Sequence, residues 1–163
     1  MARPPRLNAG SYTGRRLYFV TFSTFERQPF LNDRETAGKL REQLLQSSRA
    51  HDIAVDAYMF MPDHVHLLLR GLTETAEMTA FVAGFKHDTG WEFRRDRRRR
   101  LWRDGFHDRV LRDESDALSV LAYLVANPVR AGLVSSPAEY EFWGSLTQTR
   151  EEILERVRGN GGG

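Results

Sequence analysis

Short apolar runs rich in aromatic and β-branched residues alternate along this 163-residue chain with longer stretches whose apolar positions recur at helical spacing. Leu17 to Thr24 predicts a first strand, and Gln28-Pro29 closes the segment after it. A helix follows, capped by Asn32 or Asp33, in which Ala37, Leu40, Leu44 and Leu45 share one face up to about Arg49. Residues 53–61 and 64–70 are two further apolar runs around Pro62-Asp63, which has turn chemistry, so they predict an antiparallel hairpin. Thr73 or Thr75 is placed to cap a second helix with a core stripe of Met78, Phe81, Val82 and Phe85, and a last strand is expected from about Phe106 to Leu111. Asp113 caps a further helix, expected to stop near Asn127 because Pro128 disfavours helical geometry in the residue before it. The order βαββαβ followed by a helix predicts an α+β, ferredoxin-like antiparallel sheet. The domain so defined runs over 17–145, between a basic arm at 1–16 and a tail at 146–163 made of a short charged helix and a Gly-rich end.

The alternation in the second hairpin strand brings in the first candidate chemistry. His64 and His66 fall on one side and Val65, Leu67 and Leu69 on the other, so the histidines are expected to turn away from the hydrophobic interior. Same-side neighbours on a strand are about 6.5–7 Å apart at the backbone, close enough for two imidazoles to converge on one ion. A His-x-His is weak by itself, and two partly exposed strand histidines without a ligand fit the pattern as well.

Charge changes the picture more than composition does. The formal net charge is +2, but the basic side is almost wholly arginine, with Lys39 and Lys86 the only lysines, and arginine offers a planar fork suited to phosphate. The arm carries Arg15 and Arg16, which a solvated tail and a nucleic-acid contact explain equally well. From Trp91 to Arg103 the chain mixes Arg94, Arg95, Arg97, Arg98, Arg99, Arg100 and Arg103 with Trp91, Phe93 and Trp102, a mixture suited to phosphates and stacked, unpaired bases. The absence of cysteine excludes disulfides, thiolate metal sites and a Cys nucleophile. With no apolar signal core at the start and no run of membrane-spanning length, a soluble, cytoplasmic protein is expected.

On the helix after Asp113, Ser119, Tyr123 and Asn127 follow one another at four-residue spacing, so Tyr123 and Asn127 are neighbours on one surface. A half-buried tyrosine with a terminal Asn cap would account for them, as would an oxygen ligand beside a nucleophile.

Three segments together resemble a known family: Met-Pro-Asp-His-Val-His-Leu-Leu-Leu, Leu-Trp-Arg-Asp-Gly-Phe-His-Asp-Arg-Val-Leu-Arg, and Ala-Tyr-Leu-Val-Ala-Asn-Pro-Val-Arg-Ala-Gly-Leu-Val. The chain from about Leu17 to Trp143 is similar to the REP-associated tyrosine transposases, a branch of the HUH-type single-strand transposases. That resemblance implies a metal-dependent endonuclease and strand transferase acting on single-stranded or hairpin DNA through a covalent 5′-phosphotyrosine. It implies Tyr123 as nucleophile and His64, His66 and Asn127 as ligands of Mg²⁺ or Mn²⁺. DNA contacts are expected from Arg15, Arg16, Lys86, Arg94, Arg95, Arg97 to Arg100, Trp102 and Arg103, in a nucleoid-associated protein acting as a monomer rather than a homodimer. His107 departs from the family pattern, which commonly has Tyr there, and its role as ligand, DNA contact or partner of Asp108 stays open. Two other functions are weighed: a binder of the same fold that does not cleave, and a phosphodiesterase that activates water.

Overall fold

In the computed structural model, which describes residues 12–161, the strands form one five-stranded antiparallel sheet in the order β4-β1-β3-β2-β5. β1 is Leu17–Ser23, β2 Ile53–Met61, β3 His64–Gly71, β4 His107–Leu111 and β5 the two-residue Trp143–Gly144. The first four have the ferredoxin-like order, with β1 and β3 central and antiparallel; β5 adds a short edge beyond β2 that the sequence pattern did not mark as a strand. The helices are α1 (Arg34–His51), α2 (Met78–Arg97), α3 (Glu114–Arg130) and α4 (Arg150–Asn160).

Caps follow the local chemistry. The Asp33 carboxylate accepts from Thr36 N–H and the Asp113 carboxylate from Asp116 N–H, each stabilising its helix by about 1 kcal/mol. Neither Thr73 nor Thr75 caps α2: Glu77 holds that position without a side-chain bond. α2 also runs on through Arg94, Arg95 and Arg97, so half of the basic run is helical, and Arg98 ends it in a left-handed conformation, φ 59°.

Both faces of the sheet are covered. α1 and α2 pack on one face over Tyr18, Val20, Phe22, Val65, Leu67 and Leu69, as the alternation predicts. On the other, α3 and α4 cover Ala57, Met59, Met61 and Leu68 through Leu121, Leu124, Val125 and Ile153. This second layer corrects the expectation that the histidines turn away from the interior. His66 shares that face and is 5% exposed. Period-two alternation says which residues share a side, but not whether a later helix will cover it.

α3 does not stop at Asn127. It continues through Pro128 to Arg130, because the proline forfeits a single backbone bond in a last turn that Ala131 N–H to Asn127 O and Leu133 N–H to Pro128 O close instead. Of the basic arm expected at 1–16, residues 1–11 lie outside the described residues. Tyr12 is already buried in the core, and Gly14 N–H bonds to Ala76 O, so the packed body begins before Leu17. Among the described residues no helix is long and apolar enough to cross a membrane.

Candidate active site

The register of β1, β3 and β4 places the site. Thr21 lies opposite His66 on one side and His107 on the other, and Ser23 lies opposite His64. α3 crosses this end of the sheet and brings Tyr123, Asn127 and Arg130 along one face at spacings of four and three residues. Three polar groups then converge: His64 Nε2 and the Asn127 side-chain amide each lie 3.1 Å from His66 Nε2. The histidine pair and the asparagine, read from separate segments of the sequence, are thus brought together.

Their orientation is fixed from behind. Asp63 Oδ1 lies 2.7 Å from Nδ1 of His64, and its other oxygen lies 3.0 Å from Arg27 Nε. Arg27, itself in the left-handed region at φ 55°, also donates to Ser23 Oγ. Thr21 Oγ1 lies 2.9 Å from Nδ1 of His66, and Phe19 stacks on the His66 ring at 5.5 Å. Each Nδ1 is engaged by an oxygen, and in the tautomer that carries its proton on Nδ1 each ring presents an Nε2 lone pair to the point where the two Nε2 atoms meet at 3.1 Å. Burial, then the proximity of His64 and the cations of Arg130 and Arg27, pulls the His66 pKa down to about 3, which keeps this imidazole neutral and able to donate electrons at pH 7.

Tyr123 stands over this centre, 45% exposed, edge-on to His66 at 5.9 Å and to Phe19 at 6.1 Å. The Arg130 guanidinium lies 4.2 Å from its ring centroid. A phenol held by rings on one side and open to solvent on the other can meet a polymer chain arriving from outside.

Two histidines and an amide form a donor set that fits a divalent ion. Adjacent ligand atoms of an octahedral ion with bonds of about 2.1 Å lie about 3 Å apart, and turning the Asn127 amide over would present its oxygen instead of its nitrogen. Among the described residues no group of three or more His, Cys, Asp or Glu side chains could hold a metal, so an ion here would depend on Asn127. His107 is exposed on β4 across Thr21 and is not part of the convergent set. The supports Thr21, Asp63, Arg27 and Arg130 were missed in the sequence. Thr21 could have been found by pairing the two strands, and Asp63 by its place directly before His64.

The residues expected to contact DNA are scattered by comparison. Arg15 pairs with Glu74, and Arg15 and Arg16 sit beside the Leu17 end of β1, about 20 Å of strand from Ser23 and the histidines. Lys86 donates to the carbonyls of Arg103 and Gly105 and so ties the loop before β4 to α2. Arg95 is held by Asp96, Arg97 lies near Glu35, Arg99 covers Phe30, and Arg100 is bonded to Asp104. Trp102, expected to stack on bases, is a core residue instead: it is 6% exposed, packs on Phe22 and gives its indole N–H to Thr89. Lys86, Arg94, Arg100 and Arg103 still line one open groove between α2 and that loop.

With sheet and site in view, the chain belongs to the transposases of the IS200-like family. The family described as Transposase IS200 like matches residues 15–125, from the start of β1 through Tyr123. No curated protein matches the chain by sequence. Among solved structures, a REP-associated tyrosine transposase bound to a REP hairpin is similar over 88% of this chain and 82% of its own, with 18% identity and a TM-score of 0.73. A candidate transposase of Deinococcus radiodurans R1 is similar over 76% of this chain and 93% of its own, with 21% identity and a TM-score of 0.53. At these identities the likeness is one of fold.

Proposed function

We propose that the protein is a metal-dependent single-strand DNA endonuclease and strand transferase that acts on hairpin DNA of the REP type through a covalent 5′-phosphotyrosine. The observation that carries this reading is the convergence of His64 Nε2 and the Asn127 amide on His66 Nε2, 3.1 Å each, beneath the ring of Tyr123. A binder that does not cleave has no use for that convergence. A hydrolase that activates water has no use for an exposed tyrosine above it.

His64, His66 and Asn127 would hold Mg²⁺ or Mn²⁺, which when bound polarises the scissile phosphodiester and neutralises charge developing on it. Tyr123 Oη attacks phosphorus. The new bond joins tyrosine oxygen to the 5′ side of the break, the bond from phosphorus to the 3′ oxygen opens, and that oxygen leaves with a proton as a free 3′-hydroxyl, while the phenol proton passes to solvent. The Arg130 guanidinium, 4.2 Å from the ring centroid, holds the Tyr123 ring in place by a cation–π contact. The phosphotyrosine ester conserves the energy of the broken bond, so a 3′-hydroxyl can rejoin the strand in the reverse step.

The test is a denaturing gel of protein incubated with labelled hairpin DNA and Mn²⁺. A slow band resistant to denaturation, absent from Tyr123→Phe although that variant still binds the hairpin, is expected. Free cleaved DNA without an adduct would identify a hydrolase, and neither product would identify a binder.

A further inference from the structure

The groove between α2 and the loop leading into β4 is open and large, about 590 Å³. It lies on the face of the sheet opposite His66, where Phe22 and Phe85 pack under Trp102, so it is separate from the site beneath Tyr123. Trp91 lines it and is 61% exposed, the most exposed large hydrophobic side chain among the described residues. A single exposed aromatic side chain is ordinary on a protein surface; what sets Trp91 apart is the open groove it lines and the charges that surround it there. Arg95 lies 5.2 Å from the centroid of the ring and leaves the rest of it uncovered.

The charges around Trp91 say what the groove can take. Arg94, one turn further along α2, and Arg103, on the facing loop, both line the groove and are exposed, and neither has a carboxylate within ion-pair distance among the described residues. Arg95 and Arg97, on the same helix, do have such partners. The one carboxylate on the groove wall, Asp104, is taken by Arg100 at 2.7 Å. Gly90 puts no side chain between Trp91 and the buried Trp102, which forms the floor. A flat aromatic surface between two uncommitted arginines is complementary to a flat base flanked by phosphates, and a base is free to stack there only when it is unpaired.

We infer that this groove is a second DNA site, which takes an unpaired base of a single-stranded segment on Trp91 and its flanking phosphates on Arg94 and Arg103. This rests on the reading of the protein as a DNA-processing enzyme, and it assigns to α2 the task of gripping single strand away from the scissile bond. Lys86 and Trp102 shape the groove, the one by tying down the loop and the other as its floor.

The chain has three tryptophans; Trp143 is 1% exposed and outside the groove and Trp102 is its 6%-exposed floor, so the part of the fluorescence quenching on binding that is lost in Trp91→Phe reports on Trp91. The experiment titrates the full-length protein, without metal, with a short oligo-dT and with a blunt duplex of equal length. Oligo-dT quenches the wild type and the duplex does not. Trp91→Ala, its fold checked by circular dichroism, binds oligo-dT about fivefold to a hundredfold more weakly, and Trp91→Phe less so, in line with the loss of one stacked base. The double variant Arg94→Ala, Arg103→Ala flattens the plot of log affinity against log salt by about 1.4, two contacts at about 0.7 each. If Trp91→Ala binds oligo-dT as tightly as the wild type, or if the double variant leaves the salt slope unchanged, the groove is not the site. Adduct formation by the wild type would then still stand. A wild type that binds neither oligo-dT nor hairpin would instead overturn the DNA-processing reading itself.

Discussion

The two histidines of the site are held by different means, which makes their supports separable at the level of single residues. Asp63 engages Nδ1 of His64 and Thr21 engages Nδ1 of His66, so each Nε2 is left to face the shared point. Such outer partners fix tautomer and ring angle, and their loss typically costs 10- to 100-fold in metal affinity. Thr21→Val preserves shape on the strand and removes the oxygen, and is expected to weaken Mn²⁺ binding, followed by electron paramagnetic resonance, about tenfold or more with little change in fold. Asp63→Ala should do the same and also release Arg27. Wild-type Mn²⁺ affinity in both variants would show that packing alone orients the rings. His-x-His and the pair Tyr123 and Asn127 were legible because both follow simple periodicities. Thr21 was not, since nothing in one strand names its partner on the next.

At the scale of the element, β3 shows what alternation can and cannot say. Its near-continuous burial, with only His64 and Arg70 partly open, is the signature of a central strand covered on both faces. His64 sits at the start of that strand beside the turn, whereas His66 is two residues in and packed between Phe19 and α3. The two side chains share a face but not a depth. His66→Ala therefore opens a cavity, removes the stack on Phe19 and leaves Asn127 without its partner, and is expected to cost about 1–3 kcal/mol. His64→Ala should stay within about 1 kcal/mol. Urea unfolding of both variants measures the difference, and equal midpoints would mean that the α3 layer is looser than the burial of His66 implies. α3 carries the same lesson at its end. Local preference argued for a stop before Pro128, yet Asn127 and Arg130 must stay helical to lie beside His66 and Tyr123, and packing of the final turn on the sheet outweighs the preference.

Over the whole molecule, the layer whose placement the sequence concealed is the one that carries Tyr123. Local periodicity suffices for a sheet with α1 and α2 on one side, since each element shows its own apolar stripe. That α3 and α4 close the other side depends on long-range contacts: Trp143 in β5 pairs with Met59, and its ring is covered by Arg150 at 4.3 Å as α4 turns back against α3. Thr149 caps α4 with Glu152 in a reciprocal capping box, and Ile153, fully buried, is its anchor in the second core. The charged tail thus acts as a brace on the helix that positions Tyr123. Ile153→Ala should cost about 2–4 kcal/mol by loss of transfer energy and by the cavity left behind. For a chain of this length each kcal/mol lowers the melting temperature by about 2–4 °C, so a fall of roughly 5–15 °C is expected. Because α3 meets that core and α2 does not, the variant at a temperature where it is still folded should lose adduct formation before it loses affinity for oligo-dT. If both decline together, α4 stabilises the protein as a whole and does not brace α3 in particular.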